Sequence, residues 1–295
     1  LYSFLLFINF YYCVLLNQYT RINMGYANSG LGSAALILSR DDIPMSEDQS
    51  TFSAADMGYV MFCTVGVMIL TPAIGMFYGG TLKRKNIIQI LFQSYMVTAL
   101  ITVQWFLFGY SLAVSPSASN VMGNFSWGAL THIGVGPFLE GGTIPSIIYF
   151  TFSAFFPIAT VQIFVGAIAE RSRLLPSLVI GFIWCTVVYC PLAYSTWCSK
   201  GFLYTLGALD FAGGGPVHIA SGGASLAYSL FIGPRKDWFD PKTKKEYEPQ
   251  NTIITLLVFQ SFGFHGYVLI LVLYYQLVLE QVILWQIHKL QLPVQ

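Results

Sequence analysis

Apolar runs long enough to cross a lipid bilayer alternate along this chain with short polar connections. No Asp, Glu, Lys or Arg falls between Lys85 and Glu140, between Glu140 and Glu170, or between Arg173 and Lys200. A spanning helix needs about 20 mostly apolar residues. The pattern predicts spans near 57–82, 86–114, 143–169, 174–197 and 207–233, with a sixth beginning near 252. Only helices and closed barrels pair all their backbone groups inside lipid. These runs are continuous rather than strictly alternating, which selects helices. The expected fold class is therefore all-α, a polytopic membrane helix bundle.

Composition agrees with the pattern. Of the 295 residues, 55% are hydrophobic and 9% charged, against about 25% charged in soluble domains. Mean hydropathy is +0.64. A net charge of +1 argues against nucleic acid as a partner. The five cysteines (Cys13, Cys63, Cys185, Cys190 and Cys198) form no CxxC pair and no metal-like spacing with histidine. They read as small apolar packing residues. No metal and no cofactor is expected.

The basic residues orient the bundle. The connections "LKRKN" (82–86), "ERSR" (170–173) and "GPRKDWFDPKTKKEYEP" (233–249) hold ten of the fourteen Lys and Arg residues. The alternate connections, 115–142 and 198–206, hold only Lys200. The positive-inside rule puts the first set in the cytoplasm. The acidic segment with Asp41, Asp42, Glu47 and Asp48 then lies outside, with the N-terminus.

Residues 1–53 read as an N-terminal extension, disordered or non-native. Its first 23 residues are apolar and precede the first methionine, Met24. Three readings stay open for them: translated upstream or incomplete sequence, an extra helix, or a signal segment. Residues 24–53 are small, polar and acidic, as in a flexible outer arm.

Candidate chemistry concentrates in "DFAGGGPVHIASGG" (210–223), where Asp210 and His218 stand among glycines and apolar residues. An ionisable residue within a span is a functional candidate, because burying its charge costs at least about 2.5 kcal/mol. A structural reading stays open: an acid can cap a helix, and a histidine can bond a nearby backbone. Eight residues apart on one helix, the pair would lie about two turns apart on nearly one face. Near the outer end, Asp210 can accept backbone N–H bonds and stay charged.

The same stretch resembles the signature of the ammonium transporter (Amt/Mep/Rh) family. "MFYGGTLKRKN" (76–86), "FGYSLA" (108–113), "VGAIAER" (165–171) and "GALDFAGG" (207–214) match that family in order. The resemblance covers about residues 54–250, the N-terminal part of an ammonium transporter domain, and is nearest the eukaryotic Mep/Amt type. It implies an eleven-helix protein assembled as a homotrimer, with a narrow pore through each subunit in the plasma membrane. It implies ammonium or ammonia as substrate. The cation would be recruited by aromatic rings at Trp197 and Phe156 near Asp210, and would pass Phe152. It would lose its proton near His218. A cation over a Trp or Phe face gains about 0.5–2 kcal/mol, and a neutral imidazole can accept a hydrogen bond or a proton.

The likeness weakens after residue 250. Residues 251–295 read as a degenerate sixth helix and an aberrant tail. "FGFHG" (262–266) resembles part of the family's sixth span, with His265 where asparagine is expected and Val268 where the recruitment serine falls. Phe264 is the candidate for a second gate phenylalanine. His265 is rejected as the second pore histidine, which belongs to a later helix. The tail from 268 suggests a shifted frame or retained intron, a reading that the transcript tests. The chain is thus expected to be truncated after the fifth family helix and inactive alone. An enzyme is not expected, because no HExxH, GxSxG or acid cluster accompanies His218 and Asp210. A regulatory or sensor subunit of a transporter trimer remains the alternative.

Overall fold

The computed structural model describes residues 52–116, 119–131, 133, 136–137, 142–210, 212–234 and 251–260. Helix α1 spans Ala54–Thr81, and Ser53 Oγ caps it by accepting the Asp56 N–H at 3.3 Å. Helix α2 runs Arg84–Val114, opening with a 3₁₀ turn and carrying a π turn at Trp105–Gly109. Helix α3 covers Ser146–Gly166. Helix α4 joins Leu174–Trp184, a π turn Cys185–Tyr189, and Cys190–Trp197. A short α5, Phe202–Thr205, follows. Helix α6 starts as a π turn, Gly214–Ile219, and continues as Ala220–Ile232. Residues 252–260 form α7. Among the described residues the one β feature is an isolated bridge between Pro137 and Pro145. The fold is a polytopic membrane helix bundle.

Four of these helices are long and apolar enough to cross a membrane: Ala54–Thr81, Arg84–Val114, Ser146–Gly166, and the Leu174–Thr205 stretch containing α4 and α5. They match the first four predicted spans, and α7 begins where the sixth was expected. The fifth differs. Helix was expected over 207–233, yet α6 begins only at Gly214. Gly207 (φ +80°) and Gly213 (φ +74°) take left-handed backbone that ends any helical path through 207–213. Pro216 then sits in the first turn of α6, where its missing N–H costs nothing.

Proline also explains two irregularities within spans. A proline ring crowds the carbonyl four residues before it and donates no bond to it. Pro157 addresses Ser153, and α3 is interrupted at Ala154 between its two segments, Ser146–Ser153 and Phe155–Gly166. Pro191 addresses Val187, which lies inside the π turn of α4. In both helices the chain yields locally and then resumes its course.

Helix α3 is central, touching α1, α2, α4 and α6. Ile101 of α2 and Ile158 and Val161 of α3 are wholly buried in the main apolar cluster. The interior is not purely apolar, because Gln104, Ser111 and Thr160 are also fully buried. In lipid, helices associate through close packing and interhelical hydrogen bonds rather than by escaping water.

The basic connections are tied together by two adjacent residues. Glu170, at φ +68°, extends its carboxylate to the start of α2. Its Oε1 accepts from Lys83 N–H at 2.9 Å and Asn86 Nδ2 at 2.8 Å. Arg171 turns the other way. Its guanidinium donates to Gly233 O at 2.9 Å, Ser229 Oγ at 3.1 Å and Ala167 O at 3.2 Å. An anion thus meets a helix N-terminus and a cation meets two C-termini, as the helix dipole favours. Replacing Glu170 by Ala should lower stability by about 1–3 kcal/mol, the cost of stranding donors that had a charged acceptor. Thermal unfolding in detergent checks this; an unchanged midpoint would show that the clasp contributes nothing.

Candidate functional site

The connections alternate in charge, so the ends of the helices away from the basic loops share one side of the bundle. There the start of α3, the end of α4 and the start of α6 converge. Phe152 and Phe156 lie one turn apart on α3, with ring centroids 5.1 Å apart and planes at 77°. Phe156 in turn meets Trp197, the last residue of α4, at 6.2 Å and 66°. Both contacts set ring edges toward ring faces, the arrangement that aromatic quadrupoles favour. All three rings are partly buried and pack against the main apolar cluster.

Trp197 leads on to Asp210. Its indole Nε1–H donates to the Asp210 backbone carbonyl at 2.7 Å. The Asp210 carboxylate then caps α6: Oδ1 accepts from Gly214 N–H at 2.7 Å and Oδ2 from Gly215 N–H at 2.6 Å. Short charge-assisted bonds of this kind exceed neutral ones in strength. The intervening glycines make the geometry possible. Gly213 is left-handed and packed between Val217 and Trp197, where a Cβ would lie 2.8 Å from Val217 Cγ2. At Gly215 a Cβ would come within 3.2 Å of Asp210 Oδ2.

Asp210 therefore lies ahead of α6, and the expectation that it shares a helical face with His218 is corrected. The left-handed Gly213 separates the two residues, so a helical spacing does not apply between them. The further expectation, a carboxylate receiving backbone N–H bonds, agrees with the structure. His218 lies within the opening π turn of α6 and is exposed. Its neighbour Val217 turns inward to the core. Among the described residues the imidazole has no hydrogen-bond partner. Exposed positions recur at Gly222, Leu226 and Leu230, each four residues on from the last. His218 thus heads an uncovered, largely apolar ridge.

The structure brings Phe152, Phe156, Trp197 and Asp210 into one connected series and places His218 on the helix that Asp210 caps. Phe264 and His265 lie outside the described residues. The sequence reading did not anticipate the indole-to-carbonyl bond or the role of Gly213. The first has no sequence signature. The second had one: a glycine immediately before a helix that opens with proline two residues on.

Comparison with known proteins bears on this arrangement. The profile of the Ammonium Transporter Family matches residues 58–289. Ammonium transporter 3 of Schizosaccharomyces pombe is 54% identical over 184 residues, covering 62% of this chain and 35% of that protein. The crystal structure of Candida albicans Mep2 superposes with a TM-score of 0.68 at 36% identity, over 76% of this chain and 49% of that one. A structure titled Sensor Amt Protein superposes at 0.65 with 22% identity, covering 72% and 53%; that likeness concerns the fold alone. The chain spans about a third to a half of the length of the curated relatives it matches.

The cap at Asp210 is directly testable. Asp210→Ala removes both acceptors and should cost about 1–3 kcal/mol of stability. Asp210→Asn keeps one side-chain acceptor and should fall between that variant and the parent. Thermal unfolding of the three proteins gives the order; equal midpoints would contradict the capping role.

Proposed function

Because the chain belongs to the Ammonium Transporter Family, we propose that the full-length protein moves ammonium or ammonia across the plasma membrane, with its N-terminus outside and its basic loops in the cytoplasm. The observation that carries the reading is the continuous series Phe152–Phe156–Trp197, ending at the helix start that Asp210 caps. Ring faces suit a small cation that must shed water. They attract positive charge by about 0.5–2 kcal/mol and offer no hydrogen-bond acceptor that would trap it.

In this reading Trp197 and Phe156 recruit ammonium at the outer mouth; Phe152, one turn nearer that mouth on α3, lines the way in, and Phe156 also forms the constriction. Asp210 adds a negative charge nearby. Both of its oxygens hold the start of α6, and in this reading the carboxylate acts on the cation through its field. The cation then loses a proton to the neutral imidazole of His218, leaving ammonia to continue. Phe264 would supply a second ring at the constriction.

The exposed ridge led by His218 needs a facing surface to become the wall of a pore. Many transporters place such a site between two structural repeats. In the full-length form, a second set of helices would cover the ridge, and subunits would assemble as a homotrimer. The present chain is accordingly expected to be inactive alone.

Uptake of methylammonium by cells lacking their own ammonium transporters tests the reading. The full-length protein should restore uptake and residues 1–295 alone should not. Phe156→Leu in the full-length protein removes a ring without touching the hydrogen bonds of Trp197 or Asp210. It should raise the concentration for half-maximal uptake by about two- to thirty-fold, the range equivalent to the lost cation–ring attraction. No uptake by the full-length protein would overturn the proposed function; uptake by residues 1–295 alone would overturn only their inactivity. An unchanged concentration dependence in the Phe156 variant would remove Phe156 from recruitment.

A further inference from the structure

Far from the aromatic series, toward the basic loops, α1, α2 and α3 enclose two unmatched amides. Gln93 of α2 and Gln162 of α3 are each 3% exposed. The orientation of Gln162 is set by its neighbours. Its Nε2 donates to Ser94 O at 3.0 Å and Thr98 Oγ1 at 2.9 Å. The Thr98 hydroxyl spends its own proton on Ser94 O at 2.9 Å, so toward Gln162 it can only accept. Gln162 Oε1 must then be the outward atom, and among the described residues it is buried without a partner, as is Gln93 Nε2.

Both residues line one cavity, with Ser94, Tyr78, Gly75 and Ile74 among its other walls. The space open to the centre of a water molecule is about 10 Å³, close to the least that a single water needs. Gln162 Oε1 is an acceptor, and no bond of Gln93 fixes which end of its amide faces the cavity. Lipid offers neither donor nor acceptor, so both must be satisfied from within. Water can donate to Gln162 Oε1 while accepting from or donating to the Gln93 amide.

We propose that this cavity binds a structural water that donates a hydrogen bond to Gln162 Oε1 and bonds the Gln93 amide, linking α2 to α3. The site is independent of the proposed transport path, which gathers at the opposite end of the bundle.

A high-resolution crystal structure of the full-length protein, determined with and without an ammonium salt, tests the assignment. A solvent peak within hydrogen-bond distance of both amides should be present in both crystals. Gln93→Met and Gln162→Met keep side-chain length and bulk while removing the polar ends. Each should abolish the peak and lower the thermal midpoint. The double variant should fall no further than the worse single, because both singles lose the same bridge. An empty cavity in the parent protein, a peak that needs ammonium, or strictly additive midpoint shifts would each overturn the proposal.

Discussion

A helix start exposes backbone N–H groups that its own carbonyls cannot take up. For α6 the Asp210 carboxylate meets that requirement with two bonds, to Gly214 and Gly215. Much of the outer end depends on this. The carboxylate reaches both N–H groups because Gly213 turns the chain left-handed and because Gly215 has no Cβ in the way. The same residue's carbonyl faces the opposite direction and receives the Trp197 indole. One aspartate thus fixes where α6 begins and how the last residue of α4 is held, and through that ring it fixes the position of Phe156.

The opposite end follows the same electrostatic logic with the signs shared between two residues. Glu170 serves the N-terminus of α2, while Arg171 serves the C-termini of α3 and α6. Between these fixed ends the spans are free to be irregular. Pro157 and Pro191 each interrupt a helix without ending it, because neighbouring helices hold the course of the chain on either side. The aromatic series exploits one of these breaks. Phe152 and Phe156 flank the interruption at Ala154 and still contact each other edge to face.

Helix number and placement were legible in the charge gaps, because burying even one unpaired ion in lipid outweighs any local propensity. The first four spans follow the gaps closely. The fifth was extended too far back because 207–213 is as apolar as a helix, and hydropathy carries no information about φ. Gly207 and Gly213 held that information, but a glycine in a membrane segment reads equally well as a packing surface. The candidate residues were named through motif resemblance, and the structure joins Phe152, Phe156, Trp197 and Asp210 by contact while His218 stands apart on α6. Their connections were not legible in the sequence. The Trp197 indole bonds a backbone carbonyl, and a carbonyl is present whatever the residue at 210. The Gln93 and Gln162 amides were passed over for a related reason: a single glutamine in an apolar run looks the same whether or not it finds a partner.

Assigning the polar atoms at the outer end narrows what a passing ion could meet there. The two Asp210 oxygens accept from α6, its carbonyl accepts from Trp197, and the indole N–H is spent on that carbonyl. Each of these groups is committed to holding the backbone. Within this series, what these bonds leave uncommitted is the faces of Phe152, Phe156 and Trp197 and the imidazole of His218. A site of that kind favours charge without providing strong ligands. Ammonium can give up its charge by transferring a proton to a neutral base, which leaves a neutral molecule able to cross an apolar passage. The order of groups along the chain, with rings first and the imidazole beyond the capped helix start, is the order in which the proposed transport would need them.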